Sequence, residues 1–321
     1  MATAEQRFRA MGSDCHVLVV TPDLEGVDSA SIASDIVALA AGRVELLEQS
    51  WSRFRPTSEL NHLNASAGAG PMRVSPDLLL LVDRMQQAWA QSEGRFDPTV
   101  LSSMLALGYD ADFATVAARP ASIAEVPSTP APGMSAVRVD HADSTVSLPA
   151  GVGIDPGAIG KGLAADIIVE ELMAAGAAGV LVNLGGDLAF AGTTADGSPW
   201  TIGVEDERVD ADDPDRVLRA LEFPAGTDAA AVATSTTLKR RWAQGRRHHV
   251  IDPRTGSTAV SDLVQVTVVA DQAWNAEVTA TTALLMRSDE ALAWLGARGI
   301  PAILLTADRT LMALDEETHH G

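Results

Sequence analysis

The chain has 321 residues, with 23 Lys and Arg against 43 Asp and Glu, and therefore a formal net charge of -20. Its 46% apolar and 21% charged residues are typical of a globular protein and exclude a disordered, collagenous or coiled-coil chain. Because so negative a chain repels phosphate backbones and anionic lipid, nucleic acid and membrane surfaces are excluded as main partners. A phosphate-bearing ligand must be held locally, by backbone amides, an isolated basic side chain or a metal ion.

The cysteine content and the N-terminal segment bear on the compartment. Cys15 is the only cysteine and cannot form an internal disulfide, which favours the cytoplasm. The first apolar cluster, residues 17–20, is shorter than a signal-peptide core of roughly 7–15 residues. No run approaches the ~18 apolar residues of a membrane span. We therefore expect a cytoplasmic protein without a leader or a membrane span.

The first half of the chain predicts one strand, two helices and a hairpin. A β-branched run predicts a strand at residues 16–20, and helical apolar spacing predicts a helix at 29–48. Ser75, followed by Pro76, is a typical helix cap and begins a helix that ends near residue 93. Residues 118–135 contain four prolines and predict a surface connection. Alternation about a turn at 137–148 predicts a hairpin.

In the second half, strands and helices alternate. This order predicts an α+β fold of mixed sheets with layered helices, organised as a single domain over residues 1–321 or as two intertwined subdomains. The predicted strands are 151–154, 180–183, 188–191, 200–204, 229–234, 250–251, 264–269, 302–305 and 310–313, and the predicted helices are 161–175, 275–287 and 289–298.

Three segments carry candidate site residues, and each also has a purely structural interpretation. The loop Asp155-Pro-Gly-Ala-Ile-Gly-Lys-Gly162 matches neither a Walker loop nor a dinucleotide fingerprint, so it is either a ligand site or a tight turn. Gly185 and Gly186 let a ligand approach the backbone, or form a β-bulge. Glu277 and Thr281 share one helical face and could bind a divalent cation, although an exposed Glu and Thr would show the same spacing.

The adjacent histidines His248 and His249 are the remaining candidates. Side chains next to each other on a strand point to opposite faces, so only one of the two can face a given site. A two-histidine metal clamp is therefore disfavoured, and one of the pair could accept a proton near neutral pH.

Taken together, several segments resemble the ApbE family, the FAD:protein FMN transferases, in the order that the family shows them. They are Met11-Gly-Ser13, Trp51-Ser-Arg-Phe-Arg-Pro-Thr-Ser-Glu-Leu-Asn-His-Leu-Asn64, Gly94-Arg-Phe-Asp-Pro-Thr-Val100, Asp155 to Gly162 with Asp166, Val182-Asn-Leu-Gly-Gly-Asp187, Ala231-Val-Ala-Thr-Ser235, His249-Val-Ile-Asp-Pro-Arg-Thr-Gly256, and Val266-Thr-Val-Val-Ala270 followed by Ala276-Glu-Val-Thr-Ala-Thr281.

The resemblance implies an ApbE-like fold and an enzyme that uses FAD as substrate and Mg²⁺ as cofactor. Such an enzyme transfers the FMN half of FAD, through its phosphate, to a Thr or Ser of an acceptor flavoprotein and releases AMP. Two alternatives stay open. One is a pyrophosphatase that hydrolyses FAD to FMN and AMP, and the other is a non-catalytic protein that binds or delivers FAD.

Carried over by position, the resemblance also implies a set of site residues. The FAD site would be lined by Met11, Phe54, Arg95, Phe96, Asp97, Asp155, Lys161, Gly185, Gly186 and the Ile251 backbone. The metal ligands would be the Ala158 carbonyl oxygen, Glu277 and Thr281, with Glu277 standing where the family usually has Asp. Phe54 replaces a frequent Tyr, and Thr236 a usual Gly. We expect His249 to take the proton of the attacking hydroxyl and Asp252 to orient it.

Overall fold

The computed structural model describes residues 1–23, 25–26, 28–120, 129–210 and 212–315. Its helices are α1 (Ser29–Trp51), α2 (Glu59–Ala65), α3 (Pro76–Gln91), α4 (Leu101–Ala106), α5 (Phe113–Ala117), α6 (Gly160–Ala174), α7 (Ala273–Leu284) and α8 (Ser288–Gly296). Its strands are β1 (Ala2–Ala10), β2 (Ser13–Thr21), β3 (Met72–Arg73), β4 (Arg138–Asp140), β5 (Thr145–Ser147), β6 (Gly179–Leu184), β7 (Asp187–Gly192), β8 (Trp200–Glu205), β9 (Val217–Phe223), β10 (Thr227–Thr236), β11 (Arg241–Trp242), β12 (Arg247–His248), β13 (Ile251–Asp252), β14 (Ser257–Thr258), β15 (Leu263–Ala270), β16 (Ala302–Thr306) and β17 (Leu311–Leu314).

The main sheet has eight strands in the order β1-β2-β6-β7-β10-β15-β16-β17. The α+β class is confirmed, but all these strands pair antiparallel instead of in mixed directions, since tight turns reverse the chain between several neighbours. One such turn joins β1 to β2 through Met11 and Gly12, whose φ angles of 50° and 67° suit a two-residue hairpin turn. Strand β1 was not predicted, because its apolar positions are mostly alanine.

Helices α1, α6 and α7 pack on this sheet and enclose the largest apolar core. The predicted amphipathic helix is confirmed as α1, whose buried face includes Ile36, Val44 and Leu47 and whose first turn is capped by Asp28. The hairpin of β8 and β9 packs Trp200 against Phe190 of β7 in a second cluster. No helix within the described ranges is long and apolar enough to cross a lipid bilayer.

The strand predicted at 151–154 is wrong. Val152 and Ile154 are buried and the segment forms no strand pairing, because the Asn64 side chain satisfies both the N–H and the C=O of Ile154, at 2.8 and 3.0 Å. The next amide, Asp155 N–H, donates to the Pro98 carbonyl at 2.8 Å. The other predicted elements are present within a few residues of their bounds. Residues 121–128 of the proline-rich connection lie outside the described residues.

Candidate active site

A cleft of about 610 Å³ lies where the turn after β6, the N-terminus of α6 and one face of α7 meet. Such a volume suits a ligand of drug or cofactor size. Thirteen of the fifteen predicted site residues line it: Phe54, Arg95, Phe96, Asp97, Asp155, Ala158, Lys161, Gly185, Gly186, His249, Ile251, Glu277 and Thr281. Met11 instead lines an adjoining cavity of about 110 Å³, which shares Phe54 and Lys161 with the cleft. Only Asp252 lies outside both.

The floor of the cleft contains a buried ion pair between Asp155 and Arg53. Arg53 Nε lies 2.7 Å from Asp155 Oδ2, and Arg53 Nη1 donates to the Tyr109 carbonyl at 2.7 Å. The other Asp155 oxygen accepts the Gly157 N–H at 2.7 Å and so closes the turn before α6. Asp155 therefore holds this turn in place through its contacts with Arg53 and Gly157. Arg53 was not among the predicted site residues, although it lies within a segment that resembles the family.

Lys161, in the first turn of α6, bridges two acidic side chains. Its Nζ donates to Asp187 and, at 2.6 Å, to Glu277 Oε1, while Glu277 Oε2 accepts the Gly162 N–H at 2.8 Å. Burial disfavours the charged lysine, but the two carboxylates outweigh it and raise the pKa of Lys161. Burial, and secondarily Asp187, raises the pKa of Glu277. Asp187 was not predicted, although it directly follows the glycine pair.

The three predicted metal ligands all line the cleft. The Glu277 carboxylate and the Thr281 hydroxyl lie one turn apart on α7, and Ala158 is in the turn before α6. Carboxylate, hydroxyl and carbonyl oxygens are the hard donors that Mg²⁺ prefers, so this donor set fits the ion. Among the described residues no cluster of three His, Cys, Asp or Glu side chains could hold a metal. The predicted metal ligands include a single carboxylate, that of Glu277, and therefore do not form such a cluster. Thr281 Oγ1 lies 2.8 Å from Ser235 Oγ.

The two histidines do face different surroundings. His248 is buried and its Nε2–H donates to the Ala259 carbonyl at 3.1 Å, away from the cleft. His249 lines the cleft, and its buried Nδ1 has no hydrogen-bond partner among the described residues. Burial and then the Arg240 guanidinium lower the pKa of His249 to about 3. The imidazole is therefore neutral near pH 7.

Among the described contacts, Asp252 pairs through its carboxylate with Arg254 and not with His249. Its carboxylate accepts hydrogen bonds from Arg254 Nε at 3.0 Å and Nη2 at 2.9 Å, and its backbone carbonyl accepts the Gly256 N–H at 2.8 Å. These contacts close the Asp-Pro-Arg-Thr-Gly turn and direct the carboxylate to Arg254.

Aromatic side chains form another wall of the cleft. The ring of Phe54, which is 42% exposed, lies 5.8 Å from that of Tyr109, which in turn lies 5.3 Å from Trp242. The Arg53 guanidinium carbon lies 4.1 Å from the Phe54 centroid. Tyr109 and Trp242 are buried behind Phe54, so Phe54 is the ring of this group that can stack on a planar ring system. Tyr109 is the only tyrosine of the chain and was not predicted.

The Arg95-Phe96-Asp97 segment contributes one surface and two buried residues. Arg95 Nη2 lies 3.3 Å from Glu290 at the rim, and Phe96 belongs to the main core. Asp97 Oδ1 accepts the N–H and the hydroxyl of Thr99, at 2.9 and 2.6 Å. Asp97 thus caps the short turn that follows it, a structural role in addition to lining the cleft.

Gly185 and Gly186 form the turn between β6 and β7, with φ angles of 71° and 98°. A Cβ atom on Gly185 would lie 2.5 Å from the Cβ and Oγ atoms of Ser13, whereas one on Gly186 would meet nothing within 4 Å. Gly185 is therefore required by the close approach of Ser13. Gly186 has open space beside it in the cleft.

The ApbE family profile matches residues 11–304. The FAD:protein FMN transferase of Rhodobacter capsulatus is 30% identical over 299 residues, which are 92% of this chain and 54% of that protein. Its namesake from Vibrio cholerae is 26% identical over 282 residues, covering 87% of this chain and 80% of that protein. The chain thus spans about half the length of the first relative and about four fifths of the second.

Solved structures show the same fold. The ApbE protein of Thermotoga maritima has a TM-score of 0.78 at 21% identity, covering 98% of this chain and 97% of that chain. The flavin transferase ApbE from Vibrio cholerae has a TM-score of 0.74 at 22% identity, with the same two coverages. With the family profile matching nearly the whole length, the chain belongs to the ApbE family.

Proposed function

We propose that this protein is a Mg²⁺-dependent FAD:protein FMN transferase, which attaches FMN through its phosphate to a Thr or Ser of an acceptor flavoprotein and releases AMP. The observation that carries the proposal is that one cleft gathers an aromatic wall, an oxygen donor set and a neutral histidine from distant parts of the chain. The names of the relatives support the same chemistry. Cys15, buried and unpaired, supports a cytoplasmic location.

Phosphates would lie between α6 and α7. Ala158, Glu277 and Thr281 would hold Mg²⁺, which when bound neutralises the charge of the diphosphate. Lys161 supplies a fixed positive charge next to this donor set. Phe54, backed by the buried ring of Tyr109, offers the face on which a flavin ring can stack. Electrostatic stabilisation and positioning are the main contributions expected for phosphoryl-type transfer.

In the transfer step, the acceptor hydroxyl oxygen forms a bond to the FMN-side phosphorus while the bond from that phosphorus to the AMP oxygen breaks. The hydroxyl proton passes to the neutral imidazole of His249, and AMP leaves with the electron pair of the broken bond. His249 is the candidate for this role because its ring lines the cleft and is uncharged at neutral pH, so that a ring nitrogen is free to take a proton.

The test is AMP formation and covalent labelling of an acceptor protein from FAD and Mg²⁺. Glu277→Ala and Thr281→Ala should each slow AMP formation and acceptor labelling by at least about 10-fold. Each substitution removes an oxygen ligand of the Mg²⁺ ion that would neutralise the diphosphate. Thr279→Ala is the matched control, because Thr279 lies on the same helix but does not line the cleft.

Other outcomes separate the alternatives. AMP release without an acceptor would indicate a pyrophosphatase, and tight FAD binding without AMP would indicate a binding protein. Unchanged rates in both Glu277→Ala and Thr281→Ala would remove the metal assignment.

A further inference from the structure

Seven Lys and Arg side chains line the cleft, and within the described part of the chain six of them form ion pairs. Those six are Arg9 with Asp14, Arg53 with Asp155, Arg95 with Glu290, Lys161 with Asp187 and Glu277, Arg216 with Glu205, and Lys239 with Glu207. The seventh, Arg240, has no carboxylate within ion-pairing distance among the described residues. In a chain of net charge -20, an unpaired guanidinium inside a cleft is an exception that needs a reason.

The backbone presents Arg240 in an unusual way. Strand β10 ends at Thr236, and four residues later Arg240 adopts a left-handed conformation, with φ 49°. For a residue with a Cβ atom this conformation costs about 1–2 kcal/mol. Residues with such strained backbone angles cluster at functional sites. The flanking residues hold it in place, because Lys239 pairs with Glu207 at 2.6 Å and Arg241 Nη1 donates to the Thr237 carbonyl at 2.9 Å.

The Arg240 guanidinium reaches the part of the cleft where the chemistry is expected. Its Nη2 donates to Ser13 Oγ at 3.3 Å, and Ser13 lies against the Gly185 turn. It is also close enough to His249 to be the main charge that lowers the pKa of that ring. Arginine has five N–H donors in a planar fork, and Ser13 uses one of them. The remaining donors suit the oxygens of a phosphate.

We propose that Arg240 is a phosphate-binding residue of this cleft, which holds an oxygen of the FAD diphosphate beside His249. The inference deepens the proposed function and rests on it for the identity of the ligand. A single fork-shaped cation would supply the local positive charge that the acidic chain lacks over most of its surface.

Binding measurements with four proteins and three ligands test the inference without relying on turnover. The proteins are the wild type, Arg240→Gln, Arg240→Lys and the control Arg246→Gln, which removes the same charge from an exposed position outside the cleft. The ligands are FAD, ADP and riboflavin, of which riboflavin has no phosphate. We expect Arg240→Gln to weaken FAD and ADP binding by about 10- to 100-fold and to leave riboflavin binding unchanged. Arg240→Lys should weaken FAD and ADP binding less than Arg240→Gln does, because lysine keeps the positive charge but lacks the planar set of guanidinium donors.

Three results would overturn the inference. One is Arg240→Gln binding FAD and ADP as tightly as Arg246→Gln does. Another is an equal loss of riboflavin affinity, which would indicate a structural role. The third is wild-type protein that binds neither FAD nor ADP. Arg240-dependent binding of FAD and ADP by a protein that forms neither AMP nor labelled acceptor would refute the proposed function alone and support this inference. If Arg240→Gln does not fold, Arg240→Lys provides the test. Weaker binding of FAD and ADP with unchanged riboflavin binding would support the inference, and unchanged binding of all three would overturn it.

Discussion

Arg53 Nε lies 2.7 Å from Asp155 Oδ2, and the two side chains are only 6% and 4% exposed. The pair joins the segment after α1 to the turn before α6, so it fixes the floor of the cleft from two distant parts of the chain. A buried pair of this kind adds little net stability compared with apolar residues, but losing one partner is costly.

We therefore expect Arg53→Met to lower the free energy of unfolding by about 3–5 kcal/mol, because it leaves the Asp155 carboxylate buried without its countercharge. Chemical denaturation measures the change. Arg55→Met is the control, since Arg55 pairs with Glu45 at the surface and should cost no more than about 1 kcal/mol. Equal losses in the two variants would contradict the buried-pair argument.

His249 and His248 provide a matched test of the proton acceptor. His249→Ala should lower transfer at pH 7 by about 10²- to 10⁴-fold, because the acceptor hydroxyl loses its base. His248→Ala removes a neighbouring imidazole that faces Ala259, so transfer at saturating FAD should stay within a few-fold of the wild type. Labelling of an acceptor with fluorescent flavin measures both. Near-normal transfer by His249→Ala would exclude the assignment.

Asp166 should make the folding stability of the protein depend on pH. It accepts the backbone N–H groups of Ala273 and Trp274 at 2.7 and 2.9 Å, and burial raises its pKa from 3.8 to about 6. Between about pH 4 and 6 the native protein therefore binds a proton that the unfolded chain has released, so the contribution of Asp166 to stability falls as the pH rises.

Asp166→Asn removes this titration and retains one acceptor oxygen. The stability of the wild type relative to this variant should therefore decrease by about 2–3 kcal/mol from pH 4 to pH 6 and then level off. Urea unfolding of both proteins across this range measures the difference. Parallel stability curves would show that the Asp166 pKa is not raised in the folded state.

The glycines of the β6–β7 turn should differ in their tolerance of alanine. Gly185→Ala has to move Ser13 as well as adopt a left-handed φ, and we expect a loss of about 2–5 kcal/mol. Gly186→Ala meets no neighbouring atom and should lose about 1–2 kcal/mol from φ alone. Thermal unfolding ranks the two variants, and the reverse order would mean that the turn relaxes around Ser13.

Local structure was largely predictable because its causes are local. Ser75 and Pro76 mark the beginning of α3 through a side-chain cap and a preset φ, and the structure shows the Ser75 hydroxyl accepting the Leu78 N–H at 3.2 Å. The exception at residues 151–154 has a long-range cause. Val152 and Ile154 alternate as in a strand, but Asn64, 90 residues from Ile154, takes the hydrogen bonds of Ile154.

The sequence by itself determined the longer helices and most strands of the main sheet, the excess of negative charge and the segments that resemble one family, because periodicity, caps and motifs act over a few residues. Only the tertiary structure decided which charges meet. Lys161 contacts Asp187 and Glu277, 26 and 116 residues away, whereas Arg240 reaches the same cleft without a carboxylate partner among the described residues. The physical reason is that pairing and burial, which set the state of each ionisable group, depend on how the whole chain packs.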